Sequence, residues 1–253
     1  MENQNPLNPT DAVQFYDRLW QDDWKDMERL NPTARHLEGQ IVRQLSAITE
    51  VESILDVGCG IGVNVKSIHS HFPKMVIAGS DLSAGILKLA EEYVGKDPKI
   101  SYLVMNLEND KIDRTFDLVL CSQVLEHIEN DVKALENLAR LTRRYLLITV
   151  PGGRYNSTSR LVGHYRHYSK KDLEEKVKAA GFDLLESKEW GFPFHSIYKW
   201  CLGKLSEDAQ KKAGLGKYGF FKKSIASFLY YLFYGNIFDR GANVILLARK
   251  INS

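Results

Sequence analysis

The chain has 253 residues, 44% of them hydrophobic and 26% charged, with a net charge of +2. That balance excludes a disordered or fibrous chain and fits one large globular domain, alone or with an appended piece. The charge is uneven: residues 1–150 carry −7 and residues 151–253 carry +9. The second half therefore either meets an anionic partner or membrane surface or presents a solvated basic face.

Cys59, Cys121 and Cys201 stand far apart, with no CxxC or Cys/His spacing, so no metal site is expected. A reduced, cytoplasmic setting fits this usage. The start, MENQNPLNPTD, has neither the basic nor the apolar region of a signal peptide.

Residues 11–48 read as helical, interrupted at Pro32. A strand follows in "VESILDVG", ending at glycines. "MVIAGSD" (75–81) is a strand and "AGILKLAEEYV" a helix; "ISYLVMN" (100–106) and "FDLVLCS" (116–122) are strands. "DVKALENLARLT" is a helix, "YLLITVP" (145–151) a strand, and "KKDLEEKVKAAG" (170–181) a helix with Ser169 as N-cap and Gly181 as C-cap. "FDLLESKEW" and "NVILLARK" are the last two strands. This alternation, with nearly continuous apolar strands, predicts an α/β fold with a mostly parallel sheet covered on both faces.

Residues 192–240 depart from the alternation. They are aromatic and basic and read as two helices inserted between the last two strands. Their longest uncharged apolar part, Ser224–Tyr234, falls short of the ~20 residues that a bilayer span needs.

"ILDVGCGIG" (54–62) leads from a strand into a helix, where an open α/β sheet binds its ligand. Dinucleotide sites use G-x-G-x-x-G; here the spacing is G-x-G-x-G, with Asp56 two residues ahead of the first glycine. An acid there repels a pyrophosphate and welcomes an ammonium or sulfonium group, which favours S-adenosylmethionine. Asp81, 19 residues after Gly62, ends the second strand and either accepts both ribose hydroxyls or caps the following helix.

The blocks "LDVGCGIG", "GSDLS", "VMNLEN" and "FDLVLCSQVLEHI", in this order, resemble class I S-adenosylmethionine-dependent methyltransferases. The subgroup resembled holds the ubiquinone-biosynthesis O-methyltransferases and related small-molecule enzymes. The similarity runs from about residue 35 to 190 and includes the last strand. It implies a Rossmann-like seven-stranded sheet with the last strand antiparallel. The chain then divides into an N-terminal helical segment (1–48), a cofactor-binding domain (49–191), a helical insert or cap (192–240) and the final strand (241–253).

The resemblance also implies roles. Asp56, Gly58, Cys59, Gly60 and Gly62 line the methionine part of the cofactor. Asp81, with Leu82 beside it, holds the ribose. Asn106 and Leu107 border the adenine, and Ser122 and Gln123 lie beneath the methionine part. In "FYDRLW" and "NPTAR", Tyr16 and Arg35 fold over the cofactor carboxylate, or else are surface or packing residues.

Methyl transfer to a hydroxyl is an in-line displacement helped by positioning and by a base. His127 is one candidate base; its alternative is to cap the loop and helix. "GHYRHYS" (163–169), in the loop after the fifth strand, resembles the family's His, Arg, aromatic and Ser pattern at alternate positions. His164 then acts as base and Arg166 binds an anionic group, with Tyr165 and Tyr168 on the acceptor side. In the alternative, Arg166 pairs with an acid such as Asp172 and anchors the loop.

The expected activity is methyl transfer, at oxygen, to a small-molecule or lipid-like acceptor, releasing S-adenosylhomocysteine. The insert is a cap, a peripheral membrane contact or a dimer interface; the chain is a monomer or homodimer and binds no nucleic acid. RNA or protein methylation fits less well, since "CSQV" stands where an "NPPY"-type tetrapeptide would. A catalytically idle cofactor-binding module remains the alternative from another class.

Overall fold

Asn31 opens the first long helix. Its side-chain oxygen accepts from Thr33 N at 2.8 Å, and Pro32 takes the first helical position, where its missing N–H costs nothing. The computed structural model describes residues 13–14, 25–155, 159–160, 162–206, 209–210 and 217–251. In chain order these form α1 (Lys25–Leu30), α2 (Pro32–Ser46), β1 (Ser53–Val57), α3 (Val63–His71), β2 (Val76–Asp81), α4 (Ala84–Val94), β3 (Ile100–Val104) and β4 (Phe116–Ser122). After a 3-10 turn at Leu125–His127 come α5 (Asp131–Leu141), β5 (Thr142–Pro151), α6 (Lys170–Ala179), β6 (Phe182–Phe192), α7 (Phe194–Leu202), α8 (Phe220–Leu232) and β7 (Ile237–Lys250).

The seven strands make one sheet in the order β3-β2-β1-β4-β5-β7-β6. Neighbours from β3 to β5 are parallel, with Asp56 opposite Leu120 and Leu120 opposite Leu147. β7 runs antiparallel to both β5 and β6. This is the Rossmann-like architecture expected. The order reverses between β1 and β4, so the carboxyl ends of β1, β2, β4 and β5 share one edge around a switch point.

Alternate strand residues enter two cores, as the period-2 geometry of strands requires. Val119 and Cys121 of β4 face a core with Leu135 and Leu138 of α5 and Leu173 and Val177 of α6. Leu118 and Leu120 face the other, with Leu37 and Ile41 of α2 and Val65 and Ile68 of α3. Burial of each such side chain contributes roughly 1.5–3 kcal/mol.

Ser169 caps α6 as expected, accepting from Asp172 N. The cap at the other end is Ala180; Gly181 follows it at φ +93°, one position later than expected, where a left-handed turn favours glycine. β7 begins at Ile237, before the apolar run that revealed it, and pairs there with Phe192. The segment between β6 and β7 holds α7 and α8. Pro193 cannot cap α7 with its side chain, so Asn236 does so from a distance, accepting from Phe194 N at 2.9 Å and His195 N at 3.2 Å. Phe233 is buried in the second core, and His36 of α2 reaches the Tyr230 carbonyl at 2.8 Å.

Candidate active site

The glycine loop turns through Gly58 (φ +67°) and Gly62 (φ +81°). A Cβ at Gly58 would stand 2.4 Å from the Val124 side chain, and one at Gly62 2.8 Å from Val94. Only glycine meets both conditions. Gly62 is also the N-cap of α3 and offers no side chain there, leaving the helix N-terminus open toward the loop.

Asp56 lies beneath this loop with 1% exposure, and neither carboxylate oxygen has a partner among the described residues. Burial, reinforced by Asp81, pushes its pKa up to about 8. Asp81 accepts from Gly60 N at 3.2 Å and from Ser83 N at 3.1 Å. Ser83, not Asp81, caps α4 through Ile86 N, which leaves Asp81 to face the loop. A third acid joins them: Glu28 of α1 has a buried Oε2 with no partner among the described residues, and burial followed by Asp56 holds its carboxyl well above the usual range. Sequence reading missed Glu28, because nothing local in "KDMERL" distinguishes it from a solvated helix acid.

A second cluster stands at the ends of β4 and β5. The 3-10 turn buries Glu126 completely, and its carboxylate oxygens have no partner among the described residues outside its own backbone. Burial pushes its pKa up to about 8, with Lys199 pulling it down. His127 meets His164 edge to face, with ring centroids 4.6 Å apart. His164 Nδ1 lies 3.2 Å from His167 Nε2, which also meets Ser159 Oγ at 2.8 Å. Burial drives all three imidazoles toward neutrality: His127 to about 4, His164 to about 2 and His167 to about 4. Lys199 of α7 adds its charge against protonation of His164 and His167, and its own pKa is lowered by burial. Lys199 is the only charged residue of α7 and brings the insert to the site.

One donor atom from each of Glu126, His127 and His164 lies within 4.8 Å of the others. That spacing suits a divalent cation, while the Lys199 ammonium beside the cluster opposes one.

The other expected site residues divide. Ser122 Oγ meets Thr149 Oγ1 at 2.8 Å, and Gln123, at φ +57°, donates to the same hydroxyl at 3.3 Å, so both sit at the strand ends facing the switch point. Asn106 Oδ1 accepts from Glu108 N at 2.9 Å and closes its own turn. Leu107 and Cys59 are core side chains, so they reach a ligand only through backbone. Leu82 is half-buried beside Asp81. Tyr16 lies outside the described residues. Arg35 stacks on Tyr230 of α8, its guanidinium carbon 3.6 Å from the ring centre, which is the packing alternative rather than a lid on the loop.

The acceptor side needs correction. Tyr168 is 1% exposed, and its hydroxyl donates to Asp131 Oδ2 at 2.8 Å, so it is a core residue. Arg166 pairs with the same oxygen at 3.0 Å and also donates to the Glu129 carbonyl. It anchors the loop, through Asp131 and not Asp172. Lys176 completes the set at 2.6 Å from Asp131. Tyr165 N–H donates to the Glu126 carbonyl at 2.7 Å and fixes the loop against the 3-10 turn. Asp131 reads in sequence as an ordinary first-turn helix acid, so its role was not legible there.

Residues 55–147 match the family model described as a methyltransferase domain. That stretch, over a third of the chain, is similar to methyltransferase domains. The matched stretch contains the glycine loop, Asp81 and the 3-10 turn; the His164 loop and the insert lie beyond it. The chain is 36% identical over 94 residues to a mitochondrial ubiquinone biosynthesis O-methyltransferase of Candida albicans, covering 35% of this chain and 29% of that protein. The chain is 27% identical over 130 residues to a malonyl-[acyl-carrier protein] O-methyltransferase of Priestia megaterium, covering 49% of this chain and 47% of that protein. The chain thus spans less than half the length of these curated relatives. Among solved structures, the N-methyltransferase NodS of Bradyrhizobium japonicum, in complex with S-adenosylhomocysteine, shares the fold with a TM-score of 0.65 at 14% identity, covering 95% of this chain and 99% of that one. The [4+2]-cyclase SpnF shares it at 0.62 and 19%, covering 98% and 99%.

Proposed function

We propose that the chain is an S-adenosylmethionine-dependent methyltransferase that methylates an oxygen of a small-molecule or lipid-like acceptor. The observation that carries the cofactor is Asp56: a buried carboxylate whose oxygens have no partner among the described residues, under a loop that only glycines can form. Such a group is costly unless a cation or donor meets it. Glu28 supplies a second acid and Asp81 a third, so the donor set fits an ammonium, a sulfonium and ribose hydroxyls and opposes a pyrophosphate. Bound there, S-adenosylmethionine supplies an electrophilic methyl group.

This chain's residues then handle the acceptor. His164 is neutral at working pH, so its Nε2 accepts the hydroxyl proton and orients the oxygen. The contact of its Nδ1 with His167 Nε2 orients the ring, and the proton it takes leaves to solvent after methyl transfer. His127, held at the Gly163 carbonyl, walls the same space. The names of the relatives support oxygen as the acceptor atom.

The deciding experiment is methyl transfer from radiolabelled S-adenosylmethionine into a cell extract, followed by partition. Label in small molecules or the organic phase supports the reading. Label in protein or RNA overturns the acceptor class. No label above a boiled control, with cofactor binding intact by calorimetry, leaves an idle binding module.

A further inference from the structure

The insert carries an apolar surface that the catalytic reading leaves unused. On α8 the residues Phe221, Ile225 and Phe228 follow helical spacing and are 81%, 60% and 67% exposed. Phe220 and Tyr231 widen the stripe at 80% and 72%. The opposite face is satisfied, because Ala226 is buried and Leu229 packs on the second core. α7 repeats the pattern with Trp200, 65% exposed, below Lys204 at 5.5 Å. Exposed apolar stripes of this kind mark interaction sites.

The charge around the stripe selects the partner. Residues 192–240 carry seven lysines and Arg240 against three acids, Glu207, Asp208 and Asp239, and only Lys199 of the lysines belongs to the site. Lys222 and Lys223 lie within α8 itself, Lys222 one turn before Ile225 and over the Tyr218 ring at 4.2 Å. No helix of the described residues is long and apolar enough to cross a membrane. An amphipathic helix with aromatic residues on one side and lysines beside them lies in the interfacial plane of an anionic bilayer. A second copy fits less well, since a two-fold contact would set the lysines of one stripe against those of the other.

We propose that the outer face of α8 docks the protein on anionic lipid bilayers, with Phe221, Ile225 and Phe228 entering the acyl boundary and the lysines meeting headgroups. This holds whether or not the chain transfers methyl groups, because it rests on surface residues outside the site.

The test is co-sedimentation of the full chain with phosphatidylcholine vesicles, with and without phosphatidylglycerol. The protein is expected to pellet with the anionic vesicles and to be released by raised salt. Phe221→Ser with Phe228→Ser should weaken binding by about tenfold or more while circular dichroism is unchanged, both side chains being exposed. Lys222→Gln with Lys223→Gln should lower the affinity and flatten the salt dependence. Absence of binding by the unaltered chain overturns the proposal, as does equal binding by the Phe variant. So does a dimer in sedimentation velocity that the Phe substitutions dissolve.

Discussion

His164 Nδ1 and His167 Nε2 face each other at 3.2 Å, three residues apart on one loop, with Ser159 on the far side of the second ring. The pair is half-buried and near a lysine, so it is neutral at rest and the second ring orients the first. Loss of the first ring should therefore lower kcat by about 10²-fold in His164→Ala. His167→Ala should give a smaller loss. Because both groups titrate well below neutrality, the unaltered enzyme should show no His-type inflection between pH 6 and 9. A turnover number that His164→Ala leaves untouched would remove it as the base.

Asp81 receives two backbone N–H groups and presents its carboxylate to the loop. Asp81→Ala should weaken S-adenosylhomocysteine binding about tenfold or more, measured by calorimetry, through lost charged hydrogen bonds. An unchanged Kd excludes the ribose role.

Asp56 is held near a pKa of about 8 against an ordinary value of 3.8. A carboxyl raised in the folded state binds its proton more tightly there than in the unfolded chain. Its contribution is neutral below about pH 4, falls as pH rises through that window, and is a constant penalty above about pH 8. In ligand-free protein, Asp56→Asn should raise Tm by several degrees at pH 8.5 and by little at pH 4.5. Equal shifts at both pH values, by scanning calorimetry, would contradict the burial argument.

Asp131 shows the opposite sign. Lys176, Tyr168 and Arg166 hold its carboxyl below the usual 3.8, against the cost of burial. The stabilisation is present above about pH 4 and is lost as pH falls through the folded value. Asp131→Asn should cost about 2 kcal/mol in urea unfolding at neutral pH, since it strands two partly exposed cations. The loss should shrink toward pH 3.

The sheet was legible because its strands are apolar runs bounded by glycine or polar residues, as "FDLVLCS" shows. β7 was read short because residues 237–242, in "IFDRGA", pair with β6 through backbone and carry no alternation. The glycine loop and Asp81 were legible because spacing carries their chemistry. The His cluster was half legible: His164 and His127 stand out, yet their contact joins residues 37 apart. Arg166 and Tyr168 were read toward an acceptor because a motif gives residue types without directions. Only the fold shows Asp131 drawing both away. Lys199 and Glu28 were invisible, since each reaches the site from a helix whose own pattern is ordinary.

Phe192 and Ile237 are opposite one another in the antiparallel ladder, so the chain leaves the sheet and re-enters it at neighbouring points. What lies between is a closed excursion, and its length is uncoupled from strand register. Insertions or deletions within it need not disturb the glycine loop or the four parallel strand ends. The segment delivers one lysine inward and one aromatic stripe outward. Descendants of such a chain can therefore exchange acceptor and docking surface together, as a single cassette, while the machinery beneath stays the same.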